Sequence, residues 1–187
     1  MEQVAAQVSG LQLIPDYISQ EEHDRLLAAI DRQPWLTDLK RRVQHYGYRY
    51  DYKSRSVDSS AFLGALPDWI TTLAGRFQRE GLLTPDQLIV NEYEPGQGIS
   101  AHIDSTVAFG DTVLSLTLGS ACVMLFSNVK LGQEVPVLIE PRSLVVMQGD
   151  ARYVWKHSIP PRKKDTYEGR VIERSRRVSL TFRTILK

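Results

Sequence analysis

The chain has 187 residues, a formal net charge of +1, 42% hydrophobic and 24% charged residues, which is the size of one domain and the composition of an ordinary globular protein. A charge so close to neutral excludes a surface that is basic all over, so any nucleic-acid contact has to be a local patch. The single cysteine, Cys122, excludes a disulfide framework and a Cys-rich zinc site. No apolar run approaches the roughly 18–20 residues of a membrane span, and Met1 to Gly10 lacks the layout of a secretory signal; the expectation is a cytoplasmic monomer with no membrane partner.

Two amphipathic helices are predicted in the first half. Ser19 with Glu22 three residues on has the pattern of a capping box, and His23, Leu26, Leu27 and Ile30 recur at the spacing of one helical face. Next, the basic run Lys40-Arg41-Arg42 leads into Tyr46, Tyr48, Tyr50 and Tyr52, alternating with Arg49, Asp51 and Lys53. Period-two alternation makes one face aromatic and the other largely polar. It fits either a strand packed on the core or a surface of stacking and cationic groups. The second helix opens at Pro67, which has no N–H to leave unsatisfied in a first turn. It carries Ile70, Leu73, Ala74 and Phe77 on one face and stops at Gly81.

From residue 87 the period changes from helical to two. Gln87–Tyr93, Val113–Leu118, Cys122–Phe126, Val137–Ile139, Ser143–Met147 and Val178–Phe182 are short strand-like runs, several parted by Gly, Pro, Asn or Asp. There is no internal repeat, low-complexity stretch or linker. Short strands following a helical layer predict an α+β fold, a β-sandwich or jelly roll backed by helices, in one domain over residues 1–187.

His102 and Asp104 are two apart, so on a strand both side chains point to one side. With a distant histidine they make a two-His-one-carboxylate set, which leaves positions open on iron(II). His23 and His45 lie upstream of the pair, and only His157 lies downstream, in the strand-like run Tyr153–His157. It is therefore the third candidate ligand. A surface histidine beside a turn aspartate would look the same.

In the last strand, alternation puts Val178, Leu180 and Phe182 on one face and Arg177, Ser179, Thr181 and Arg183 on the other. Those arginines either meet solvent or, on the inner face of a jelly roll, grip a dicarboxylate through paired hydrogen bonds. Asn91 and Tyr93 form another i, i+2 pair that offers donors.

Metal pair, late histidine and closing arginine strand, in this order, resemble the AlkB family of Fe(II)/2-oxoglutarate oxygenases from about Leu11 to the end. The most specific stretch is Asn91-Glu92-Tyr93-Glu94-Pro95-Gly96-Gln97-Gly98-Ile99-Ser100-Ala101-His102-Ile103-Asp104. Its wording, and that of Arg41-Arg42-Val43-Gln44-His45-Tyr46-Gly47-Tyr48, is most similar to the branch that hydroxylates a modified wobble uridine in tRNA. The resemblance implies a double-stranded β-helix (a cupin-like jelly roll) with the N-terminal helices on one sheet. It implies iron(II), 2-oxoglutarate and O2 as reagents, with Asn91, Tyr93, Arg177, Ser179 and Arg183 around 2-oxoglutarate and Arg177 on the carboxylate remote from iron. It also implies a nucleotide-recognition lid at about 38–56, with Arg41, Arg42, Tyr46 and Tyr48 on the substrate.

Two departures stand out. Ser179 occupies the place of an asparagine in the DNA-repair enzyme, and Thr106 that of an acid which reads the alkylated base. The eukaryotic tRNA enzyme also carries an RNA-binding module and a methyltransferase domain, for which 187 residues leave no room.

The reading is a dioxygenase acting on a modified or alkylated base, in RNA or in single-stranded or flipped-base DNA. It either dealkylates, when the oxidised carbon sits on nitrogen, or leaves a stable alcohol. Arg162, Lys163 and Lys164 are either a solvated loop or a second phosphate grip. A hydroxylase of a protein or small molecule is the rival enzyme class. A non-catalytic binding module is disfavoured by the intact triad and arginine pair.

Overall fold

The computed structural model describes residues 7–37, 39–51 and 61–186. Tyr52, Lys53 and the end of the expected lid lie outside the described residues. In chain order the elements are β1 (Leu11–Ile14), α1 (Gln20–Asp31), β2 (Val43–Tyr46), α2 (Asp68–Arg79), β3 (Gln87–Tyr93), β4 (Ile99–His102) and β5 (Phe109–Gly119). Then come β6 (Cys122–Asn128), β7 (Gln133–Ile139), β8 (Leu144–Met147), α3 (Gly149–Tyr153), β9 (Lys156–Ile159), β10 (Lys164–Tyr167), β11 (Arg170–Glu173) and β12 (Arg177–Ile185).

The helix signals operate as read. Ser19 Oγ accepts the Glu22 N–H at 3.1 Å, and Glu22 accepts the Ser19 N–H at 2.9 Å, which satisfies two of the amides that a helix start leaves open. α2 ends in the left-handed glycine motif: Gly81 has φ +69°, with Leu82 N–H on Phe77 O and Gly81 N–H on Gln78 O. Pro67 stands just outside this helix, its backbone extended, and Asp68 opens it. None of the described helices is long and apolar enough to cross a membrane.

Two sheets form the body. The larger has strand order β1-β8-β5-β12-β3-β2 and the smaller β4-β9-β6-β7; β10 and β11 make a hairpin of their own. Helices α1 and α2 cover the outside of the larger sheet. Ile30, Ile70 and Phe77 pack there on Leu88, Val90, Leu116, Leu180 and Phe182. Its inner face meets the smaller sheet through Val113, Val145, Met124, Phe126 and Ile139. A strand covered on both sides loses the simple alternation, which is why Leu144-Val145-Val146-Met147 is apolar throughout and buried throughout. This is the jelly roll backed by helices that the strand pattern predicts.

Two local expectations fail. Residues 153–155 are not strand: α3 runs to Tyr153, and β9 begins at Lys156. The tyrosine alternation stops at Gly47, whose φ of +77° turns the chain where a Cβ would lie 1.9 Å from the Asp86 carbonyl oxygen. Beyond it Tyr48 bridges to Phe62 rather than continuing β2.

The hairpin is tied to the body by a buried ion pair. Asp165, its side chain fully covered, holds Arg174 at 2.6 Å and accepts the Val123 N–H at 3.0 Å. Burial pushes the Asp165 carboxyl up, but the Arg174 and Val123 hydrogen bonds and the charges of Arg174 and Arg162 outweigh it and leave it below the ordinary carboxylate range. Its stabilising contribution is therefore complete above the unfolded pKa of about 3.9 and is lost as pH falls through the lower folded value. Asp165→Ala leaves Arg174 buried without its partner. Urea unfolding at neutral pH is expected to show a loss of about 3–5 kcal/mol, with the gap to wild type narrowing in acid.

Candidate active site

β4 and β9 are antiparallel neighbours, with Ile99 opposite Ile159 and His102 opposite His157. This pairing brings the two imidazoles together, ring centroids 4.3 Å apart. Gly98, just before β4, allows the approach: a Cβ there would lie 2.1 Å from the Ile159 carbonyl oxygen. His102 Nδ1 lies 2.7 Å from Ser100 O. A carbonyl can only accept, so Nδ1 carries the proton and the Nε2 lone pair is left for a ligand. His157 is buried, and that burial pulls its pKa down to about 4, so it is neutral near pH 7.

Asp104 lies beyond the end of β4, so the strand pleat does not aim it. Arginines do. Its Oδ1 is 3.3 Å from His102 Nε2 and 3.8 Å from His157 Nε2, while Arg183 Nε donates to Oδ2 at 2.7 Å. Burial pushes this carboxyl up, but the charge of Arg183 beside it holds it well below the usual range. One oxygen thus faces the histidines and the other an arginine. The donor atoms of His102, Asp104 and His157 all lie within 4.8 Å of one another, close to the span that one ion with bonds of about 2.1 Å can bridge. Two imidazoles and a carboxylate suit a divalent first-row metal and leave coordination positions open.

The backbone after Asp104 is pinned by Arg152, which nothing in the spacing of the sequence marks. Arg152 is 2% exposed. Its guanidinium donates to the carbonyls of Asp104, Ser105, Phe109 and Gly110 at 2.8–3.1 Å, so this buried cation holds the loop that presents the metal-type carboxylate.

These groups open on a cavity of about 970 Å³. The pairing of β12 with β3 sets Arg177 opposite Tyr93, Ser179 opposite Asn91 and Arg183 opposite Gln87, and Asn91, Tyr93, Arg177, Ser179, Thr181 and Arg183 all line it. Among the described residues, Lys40, Arg41, Arg177 and Arg183 are its cations and Asp104 its one carboxylate, a charge balance made for an anion. Arg177 is 3% exposed, and only its Nη2 has a partner, Thr117 Oγ1 at 2.9 Å. Its Nε and Nη1 are buried with no hydrogen-bond partner among the described residues. Buried donors are almost always satisfied, so these two point to a ligand with oxygens.

Of the residues expected on the substrate, only Arg41 lines the cavity. Arg42, next to it in the bend before β2, is held elsewhere, making two bonds to Glu92 and stacking over Trp35. Tyr46 pairs with Leu88 in register and so faces the helices, edge-on to Trp69 at 5.5 Å. Tyr48 packs on Phe62, and Thr106 is exposed outside the cavity. Tyr50, passed over within the alternation, does line the cavity and lies 5.3 Å from Phe109. In the second basic cluster Arg162 pairs with Asp165, which it shares with Arg174, and Lys164 pairs with Glu173.

The model of the 2OG-Fe(II) oxygenase superfamily matches residues 10–183. The chain belongs to this superfamily. Membership makes it a dioxygenase that uses Fe(II), 2-oxoglutarate and O2, and its curated relatives are of the AlkB type. It is 37% identical to the Alkylated DNA repair protein ALKBH8 homolog of Arabidopsis thaliana, over 95% of this chain and 59% of the relative. It is 40% identical to the tRNA (carboxymethyluridine(34)-5-O)-methyltransferase ALKBH8 of Mus musculus, over 94% of this chain and 30% of the relative. The chain thus spans 59% and 30% of these two proteins. The solved structure of OsALKBH1 superposes with a TM-score of 0.67 at 20% identity, covering 94% of this chain and 96% of that one, and so shares the fold of this oxygenase.

Arg152→Met removes the donors that hold the loop after Asp104. Anaerobic titration with Co(II) is expected to show metal affinity falling roughly 10- to 100-fold, as for other groups that orient a ligand from behind, while circular dichroism still reports a folded chain.

Proposed function

We propose that this oxygenase oxidises a modified or alkylated base in nucleic acid, with His102, Asp104 and His157 holding the iron and Arg177 receiving the far carboxylate of 2-oxoglutarate. One observation carries the reading: the cavity that gathers three metal-type donors also holds a buried guanidinium with two unpartnered N–H groups. A dicarboxylate with one end on the metal supplies the oxygens that Arg177 lacks.

With iron(II) bound on His102, Asp104 and His157, O2 would be the oxidant: one of its oxygen atoms would go to succinate as 2-oxoglutarate loses carbon dioxide, and the other to the substrate. The chain's own work is to position and protect. Ser100 O fixes the His102 tautomer through Nδ1. Arg183 keeps Asp104 ionised while leaving its other oxygen turned to the histidines. Asn91, Tyr93 and Ser179 shape the co-substrate end. Tyr50 beside Phe109 gives the cavity an aromatic wall, suited to a base taken out of its stack, and Lys40 adds a positive charge for its phosphate. The relatives' names support a nucleic-acid base, one concerning alkylated DNA and the other a tRNA uridine.

Succinate release from 2-oxoglutarate with iron(II) tests this, measured without nucleic acid and then with alkylated DNA, alkylated RNA and total tRNA. At least one nucleic acid should stimulate release several-fold in wild type, and Asp104→Ala should abolish turnover. Equal succinate with and without every nucleic acid would move the reading to a protein or small-molecule substrate.

A further inference from the structure

Arg41 is the one cation of the upstream basic run whose bonds lead into the cavity and away from solvent. It is half-buried, and its Nε donates to Asn91 Oδ1 at 3.0 Å. Its guanidinium carbon lies 5.8 Å from the Tyr93 ring centroid, and that of Arg177 lies 5.5 Å from the same ring. Two guanidiniums thus gather around one buried tyrosine, with no carboxylate of the chain between them among the bonds described. The backbone on either side of Arg41 is fixed: Gln97 Nε2 donates to Lys40 O at 2.9 Å, and the Glu92 N–H donates to Arg42 O at 3.0 Å. A side chain reaching for nucleic-acid phosphates needs freedom at the surface. This one is held between two anchors and turned inward.

The contact with Asn91 also sets an orientation. Arginine can only donate, so the Asn91 carbonyl oxygen must face it, and the Asn91 NH2 is then directed away from it. Asn91 lies on the cavity face of β3, opposite Ser179 and two pairs along from Tyr93 and Arg177, hence on the same face. Its amide therefore presents donors at the end of the cavity where Arg177 has two N–H groups unused.

We propose that Arg41 serves the co-substrate and not the nucleic acid: it is a positioning residue that turns the Asn91 amide toward the far carboxylate of a 2-oxo diacid and adds a second guanidinium charge there. This rests on the oxygenase reading above and deepens it, since it assigns selection of a diacid over a 2-oxo monoacid to three groups, Arg177, Asn91 and Arg41. The metal end, which chelates the 2-oxo acid portion common to both, is untouched.

The test is isothermal titration of anaerobic protein loaded with Mn(II), using 2-oxoglutarate and, separately, 2-oxobutyrate, which lacks the far carboxylate. Wild type, Arg41→Met and Arg41→Lys are compared, together with the salt dependence of their binding to a short single-stranded oligonucleotide. Arg41→Met should weaken 2-oxoglutarate about tenfold or more, the scale of a lost hydrogen bond to a charged group. It should leave 2-oxobutyrate and the oligonucleotide's salt slope unchanged, and Arg41→Lys should recover part of the loss. In turnover the change should appear in KM for 2-oxoglutarate far more than in kcat. Unchanged 2-oxoglutarate affinity with a salt slope reduced by about one would make Arg41 a phosphate contact and overturn the inference alone. An equal loss for both acids would overturn it as well, by showing general damage to the site. Failure of wild type to bind 2-oxoglutarate at all would instead sink the oxygenase reading, and this inference with it.

Discussion

The backbones of β4 and β9 approach so closely at Gly98 that no side chain larger than hydrogen fits against the Ile159 carbonyl, and their pairing sets His102 opposite His157. Cross-strand partners sit about 4.5–5.5 Å apart at their Cβ atoms, so two histidines placed this way meet without help from a loop. The site's remaining parts attach to that pair. Asp104 comes two residues after His102, already near it in the chain, and needs only to be turned. β12, which pairs with β3 and β5 in the other sheet, supplies Arg183 to do the turning.

β12 therefore works on both of its faces and along its length. Its outward residues Val178, Leu180 and Phe182 lock the helices to the larger sheet. Its inward residues form a row from Arg177 to Arg183, a span of about 20 Å. A short diacid cannot touch both Cα positions. Arg183 is spent on Asp104 at the metal-type end, and Arg177 lies over Tyr93 at the other. One strand therefore carries both the arginine that faces the metal-type carboxylate and the arginine with unpartnered donors. The buried arginines are tolerable because each has a defined set of acceptors: four carbonyls for Arg152, Asp104 and Gln87 for Arg183, and for Arg177 one hydroxyl plus room for a ligand.

Much of this was legible in the residues. The capping box at Ser19 and the apolar spacing of α1 and α2 report on contacts within a few residues, and local signals of that kind survive in a sequence. β12 alternates cleanly because one face meets the helices and the other a polar cavity. His157 was accessible by its place in the chain. What the sequence hid lies in long-range partnership. Tyr46 looks like a lid aromatic until its register opposite Leu88 turns it to the helices. Arg162 and Lys164 look like a phosphate grip until they are seen paired to Asp165 and Glu173. Arg152 follows no period at all. It is placed by four carbonyls more than forty residues away, and nothing near it in the chain foretells that. Arg41 and Arg42 are adjacent and chemically alike, yet one bonds Asn91 at the cavity and the other Glu92.

The central claim is that one site binds iron(II) and 2-oxoglutarate together, the metal on His102, Asp104 and His157 and the diacid reaching from it to Arg177. The direct measurement is an anaerobic titration of the metal-free chain, first with iron(II) and then with 2-oxoglutarate. It follows the visible absorption band that arises when a 2-oxo acid chelates ferrous iron. The account predicts one equivalent of each at saturation and a band that appears only when both are present. A chain that binds iron(II) but develops no band with 2-oxoglutarate, or that binds the diacid equally well without metal, would contradict it.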